Sequence, residues 1–286
     1  MKHYNPNRNP LSEIQHKVFC ILSDKRVYRS KSPEIFSSVM KRTGIKGAYV
    51  PFMVSPGELG EAVRSIRVLN MAGANITAPF KEVVIPYLDV LSEGAKIIGA
   101  VNTIVRVGDQ LKGYNTNAIG FMDALEEIGF SVAGKSAVIF GTGGMAKAVA
   151  FILSWLRADS ILIAGRNETK AMQVVHRTGG NTISIDALKG RSVSTDILIN
   201  ATSVSSYDES EGLAALVNTI RLNGCEMVFD LNYGRTHNFW EDLAARHDIP
   251  FHDGLSSLAH QARRTFALWT TIQVPHDEFI RAIQGA

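Results

Sequence analysis

The stretch from Ser136 to Trp155 constrains the fold more than any other. Ser136 to Phe140 is a compact apolar strand, followed by Gly141-Thr142-Gly143-Gly144-Met145-Ala146 and then an apolar helix. A strand, a G-x-G-x-x-A turn and a helix in that order form the phosphate-binding corner of a dinucleotide fold. Gly141 is expected to make the tight turn and Gly143 to let the backbone approach a pyrophosphate, while Ala146 permits close helix packing. A merely flexible glycine turn is the competing reading, and the strand and helix on either side argue against it.

The next strand, Ser160 to Ala164, runs into Gly165-Arg166-Asn167-Glu168-Thr169-Lys170. An acidic residue at such a strand end would bind a ribose 2′-hydroxyl, and a basic one accommodates a 2′-phosphate. Arg166, with Asn167 beside it and Lys170 one helical turn on, looks like a phosphate clamp, with Glu168 on the solvent side. The choice is NADP, with NAD possible. Two more strands, Asp196 to Asn200 and Glu226 to Leu231, run into Ala201-Thr202-Ser203 and Asn232-Tyr233. Thr202, Leu231 and Tyr233 thus fall at the carboxyl edge of the sheet, where ligands bind in open α/β folds. Phe251 to Gly254 closes this part, and Val204 to Glu211, acidic and serine-rich, is expected to be mobile. In the long helix Leu255 to Thr270, His260 has no metal-ligand partner at helical spacing and reads as an ordinary polar residue.

Upstream, strands at Lys17 to Leu22 and Tyr49 to Val54 alternate with helices, as in an α/β domain with a largely parallel sheet. Ser32 before Pro33 is expected to cap a helix whose inner face is Ile35, Phe36, Val39 and Met40. Capping does not account for Ser30, so the pair suggests an anion site at a helix N-terminus. Pro56 to Met71 reads as an amphipathic helix with Leu59, Val63, Ile66 and Leu69 inward. In Asn75-Ile76-Thr77-Ala78-Pro79-Phe80-Lys81, a strand end passes to an expected helix start, with Pro79 in the first turn. A lysine there opposes the helix dipole. From this stretch alone Lys81 is either a solvated lysine or one tuned for proton transfer. Asn102, polar inside an apolar run, is either a hydrogen-bond hub or a ligand contact. Thr116 or Asn117 is expected to cap a helix bridging two domains.

Two domains also follow from 286 residues. A net charge of +3 without a Lys/Arg block leaves nucleic-acid binding without an electrostatic footprint. Cys20 and Cys225 form no ligand spacing and suit free thiols in a reducing compartment. Residues 1–14 read as a loose polar extension without signal-peptide character, and no apolar run reaches membrane-spanning length. A cytoplasmic enzyme, monomer or homodimer, is the expectation.

In their order and spacing, Ser30-Lys31-Ser32-Pro33, Asn75 to Lys81, Gly99-Ala100-Val101-Asn102-Thr103, Asn115-Thr116, Gly141 to Gly144, Asn200-Ala201-Thr202-Ser203 and Gln261-Ala262 resemble shikimate dehydrogenases from Lys17 to Thr271. The resemblance implies an N-terminal substrate domain over residues 1–117, completed by 256–286, and a Rossmann NADP-binding domain over 118–255. It implies NADP-dependent reduction of 3-dehydroshikimate to shikimate, a step toward chorismate and the aromatic amino acids. Ser30 and Ser32 would hold the substrate carboxylate, and Thr77, Asn102 and Gln261 its hydroxyls, with Tyr233 nearby. Lys81 would be the catalytic acid/base, Gly254 would lie near the nicotinamide, and Met145 would join the cofactor site. This chain departs from the family at Asn117, where the family has aspartate, and at Arg29, where it usually has histidine. Loss of a carboxylate would lower the pKa of Lys81 and weaken turnover. The alternatives are a quinate-oxidising paralogue using NAD or NADP, and a ligand-binding homologue without turnover.

Overall fold

The computed structural model describes residues 16–285, so the loose extension expected over residues 1–14 lies outside the described residues. In chain order the first half contains β1 (Lys17–Ser23), α1 (Ser32–Thr43), β2 (Gly47–Met53), α2 (Leu59–Val68), β3 (Gly73–Ile76), β4 (Val90–Leu91), α3 (Glu93–Ile98), β5 (Thr103–Val107) and β6 (Gln110–Tyr114). Its strands lie in the order β2-β1-β3-β5-β6-β4. The last five residues of β1 are buried, as a strand covered on both faces requires, and β1 sits between its parallel partners β2 and β3. The sheet is mixed: β5 runs antiparallel to both β3 and β6. The two-residue turn Gly108-Asp109 lets β5 fold straight back into β6, which removes the need for a crossover.

Helix α4 (Thr116–Ile128) leads to a second sheet built from β7 (Ser136–Phe140), α5 (Gly144–Trp155), β8 (Ser160–Gly165), α6 (Glu168–Thr178) and β9 (Asn181–Ser184). It continues through β10 (Ser192–Ser194), β11 (Ile197–Asn200), α7 (Glu211–Val217), β12 (Arg221–Asn223), β13 (Met227–Asp230), α8 (Phe239–Arg246) and β14 (Phe251–His252). The six-stranded order is β14-β13-β11-β7-β8-β9, and every pairing is parallel. This is the doubly wound Rossmann arrangement, whose order reverses between β7 and β11 and opens a crevice beyond their carboxyl ends. Strands β10 and β12 pair separately.

Two C-terminal helices, α9 (Leu255–Thr270) and α10 (His276–Gln284), return to the first sheet. Trp269 stacks on Phe19 at 4.7 Å between ring centroids and donates its indole N–H to the Ile104 carbonyl at 2.9 Å. Further along, α9 crosses α4 at Gly120, where a Cβ would fall 2.7 Å from the Gln261 amide nitrogen and from the Ser257 carbonyl oxygen. Only glycine permits so close an approach, which brings Gln261 beside the start of α4.

Several local expectations are corrected. No helix begins at Pro79: the chain turns there, Phe80 N–H donating to Thr77 O, and reaches only a short 3₁₀ turn at Ile85–Tyr87. Buried Phe80 and Val84 hold this segment inward. Ser32 is the first residue of α1 without capping it; Ser30 Oγ instead accepts from the Ser32 N–H at 3.2 Å. Asn115, one residue earlier than expected, caps α4 by accepting from Ala118 N–H at 3.1 Å. Leu69 is exposed, because α2 stops at Val68. Val204 to Glu211 is tied down: Glu209 Oε2 accepts from the Ser205 and Ser206 N–H groups, and Val204 O from Trp240 Nε1. Among the described residues no helix is long and apolar enough to cross a membrane.

Candidate active site

Between the two sheets lies a cleft of roughly 640 Å³. Its Rossmann wall carries Gly141, Thr142, Gly143, Gly144 and Met145 after β7, Arg166, Asn167 and Lys170 after β8, Thr202 after β11, Leu231 and Tyr233 after β13, and Gly254. These are the residues singled out in sequence, brought to one face because all four strands end there. Gly141 has φ +122°, and a Cβ on it would lie 2.9 Å from the Ala201 carbonyl carbon. Gly143 instead meets nothing within 4 Å on the side where a Cβ would stand, which leaves room for a group such as a pyrophosphate against the N-terminus of α5. Arg166 and Lys170 are exposed and make no ion pair among the described residues. Asn167 caps α6 by accepting from the Lys170 N–H at 2.9 Å. Ala146 is buried beneath the turn, as close helix packing demands. These features fit a dinucleotide carrying an extra phosphate.

The opposite wall carries Thr77, Ala78, Lys81, Asn117 and Gln261. Lys81 is half-buried, and its ammonium has no hydrogen bond or ion pair among the described residues. Burial without a counter-ion pushes its pKa down to about 8. Asn117 is buried, accepts from Asn102 Nδ2 at 3.1 Å, and leaves its own Nδ2 without any hydrogen-bond partner. A buried donor left unpaired is costly, so this amide is set to meet an acceptor oxygen from a ligand. Burial raises the Tyr233 phenol above its usual pKa.

Asn102 does not line the cleft. Its Oδ1 accepts from the Thr116 N–H at 2.7 Å and its Nδ2 donates to Thr116 Oγ1 at 2.9 Å as well as to Asn117. Asn102 thus serves as a hydrogen-bond hub that positions Asn117. Ser30 and Ser32 also lie outside the cleft-lining set. The Tyr49 hydroxyl donates to Asn75 Oδ1 at 2.7 Å, and Asn75 Nδ2 in turn donates to the Asn102 carbonyl at 3.1 Å. A buried cluster of Thr103, Thr116 and Thr265 hydroxyls, 2.9–3.1 Å apart, extends this network to Gln261 Nε2.

Sequence reading missed Tyr49 and Thr265, which join the network only through tertiary packing. It also missed Arg26, which lines the cleft mouth and is paired with Asp24 at 2.8 Å. Another omission is Lys147, on the buried side of α5, whose Nζ pairs with Glu82 at 2.6 Å directly across the domain boundary.

Two family descriptions match the chain: the shikimate dehydrogenase substrate-binding domain over residues 22–104, and shikimate/quinate 5-dehydrogenase over residues 123–236. A shikimate dehydrogenase (NADP(+)) of Caldanaerobacter subterraneus subsp. tengcongensis is 36% identical over 281 residues, covering 94% of this chain and 97% of the relative. Among solved structures, shikimate dehydrogenase from Aquifex aeolicus aligns with a TM-score of 0.83 at 28% identity, over 95% of this chain and 98% of its own. Shikimate 5-dehydrogenase from Thermus thermophilus, crystallised with NADP(H) and shikimate, aligns with a TM-score of 0.82 at 26% identity, over 94% and 99%.

Proposed function

This chain belongs to the shikimate dehydrogenase family, and from that premise we propose that it is an NADP-dependent oxidoreductase interconverting 3-dehydroshikimate and shikimate. The observation that carries the proposal is one cleft with Lys81, Asn117, Thr77 and Gln261 on one wall and the glycine turn with Arg166 and Lys170 on the other. The substrate domain spans residues 1–117 and 256–286, the cofactor domain 118–255, and the setting is cytoplasmic.

Gly141 to Met145 would hold NADP(H), with Arg166 and Lys170 on its extra phosphate, and the bound nicotinamide would supply hydride exchange. The chain's own residues handle the proton and the positioning. Lys81 protonates the oxygen that forms as the ketone is reduced, and as ammonium it stabilises the developing alkoxide. In the reverse direction neutral Lys81 accepts the hydroxyl proton. Asn117 Nδ2 donates to a substrate oxygen, since an amide has a hydrogen to give where a carboxylate only accepts. Gln261 and Thr77 bind further hydroxyls. Ser30 and Ser32, at the head of α1, hold the carboxylate.

Steady-state rates with shikimate and quinate, each with NADP and NAD, test this. The highest kcat/KM is expected for shikimate with NADP. A higher value for quinate would assign the pocket to the paralogue class, and ligand binding without turnover would make the chain a binding protein.

A further inference from the structure

Outside the cleft-lining set, packing of the C-terminal helices assembles Glu127 from the last turn of α4, His260 from α9 and His276 from the start of α10. Three of their donor atoms lie within 4.8 Å of one another. His260 had no companion at helical spacing along its own helix; its companions come from two other helices. His260 Nε2 is 3.1 Å from Glu127 Oε2, and His276 Nδ1 is 3.7 Å from Glu127 Oε1. Ligand atoms around a tetrahedral zinc ion, at bond lengths of about 2.0–2.1 Å, stand about 3.3 Å apart, so the two measured separations bracket that value.

The surroundings also match a metal site. His260 is only 8% exposed, yet its Nδ1 has no hydrogen-bond partner, and neither does His276 Nε2. His260 Nδ1, on the far side of the ring from Nε2, lies 3.8 Å from Asp123 Oδ2, near a carboxylate but beyond hydrogen-bond distance. Asp123 is itself fixed by Arg263 at 3.0 Å and Arg264 at 2.8 Å, which leaves Glu127 to carry the ligand charge. Ser256 donates to Glu127 Oε2, and Glu127 and Ser256 border a second cavity from which water could complete the coordination. The imidazoles stack at 3.8 Å with 12° between their planes. A shared ion lies in the plane of each ring, so binding must turn the rings toward one another.

We propose that Glu127, His260 and His276 form a zinc-class metal site that ties α9 and α10 to α4. Two imidazoles and one carboxylate with an open position suit zinc over calcium or magnesium, which take all-oxygen sets.

The full chain, stripped of metal with chelator, is titrated calorimetrically with Zn²⁺ and separately with Mg²⁺. Saturable one-to-one binding of Zn²⁺ is expected, weakened about tenfold or more in His276→Gln and Glu127→Gln, with no response to Mg²⁺. The metal-free variants should match the parent in circular dichroism. Should either variant fail to fold, the unsubstituted chain still decides: Zn²⁺ must shift the ring ¹⁵N resonances of His260 and His276 together. Absence of stoichiometric binding, unchanged affinity in folded variants, or zinc-induced shifts confined to other histidines would overturn the site.

Discussion

Lys81 is a half-buried cation without an ion-pair partner among the described residues, and burial lowers its pKa to about 8. Asn117 stands where the resemblance to shikimate dehydrogenases leads one to expect an acid. Its neutral amide adds a donor to the cleft and withholds the charge that would favour the ammonium form. Asn117→Asp should therefore raise the Lys81 pKa by about 1–3 units and increase kcat for 3-dehydroshikimate reduction, the direction that needs the ammonium, by about 10²-fold, the scale of a positioned acid–base group. Lys81→Ala should abolish turnover in either background, so the two changes are non-additive in a kinetic double-mutant cycle. An unchanged kcat in Asn117→Asp, with shikimate still bound, would mean that the pocket is built for another ligand. The residue types at 81 and 117 were legible in sequence because they sit in dense motifs. The orphaned amide of Asn117 was not, since its cause is Asn102, fifteen residues away and filled by Thr116.

At the scale of elements, two glycines in one turn do different work. Gly141 adopts a backbone conformation that side chains rarely reach and is pressed against Ala201, whereas Gly143 has ordinary φ of −83° and open space. Gly141→Ala should cost about 1–3 kcal/mol of stability and lower the melting temperature. Gly143→Ala should leave melting unchanged yet weaken NADP about tenfold, about 1.4 kcal/mol. Equal melting losses, or equal NADP affinities, in titration of the two variants would contradict the division of roles. Strands β7, β8, β11 and β13 were readable because each is a short, mostly apolar run that leads into a turn at one edge of the sheet. Helix starts were read less well. Ser32 and Pro79 carry the right residue types for a start, but Ser30 supplies the bond at one and buried Phe80 bends the chain away from helix at the other.

At the scale of the molecule, two domains are held in register by contacts that sequence spacing does not encode. Lys147 on α5 pairs with Glu82, next to Lys81, and Arg177 on α6 donates to the Lys96 and Ile97 carbonyls at the end of α3, at 3.3 and 3.4 Å. These contacts, with α4 against α9, set the Lys81 wall opposite the glycine turn, so the proton-handling group and the cofactor site work as one unit. The pH dependence of that unit follows from the lowered pKa of Lys81. Reduction requires the ammonium, so its kcat/KM should fall as pH rises past about 8; oxidation requires the neutral amine, so its kcat/KM should rise toward about 8 and level above it. The most direct test is the initial rate of NADP reduction by shikimate across the range from about pH 6 to 10, for this chain and for Lys81→Ala. A rise to a plateau at about 8 that disappears in the variant is the result expected. No NADP reduction while calorimetry shows bound shikimate, or the same profile in Lys81→Ala, would contradict it.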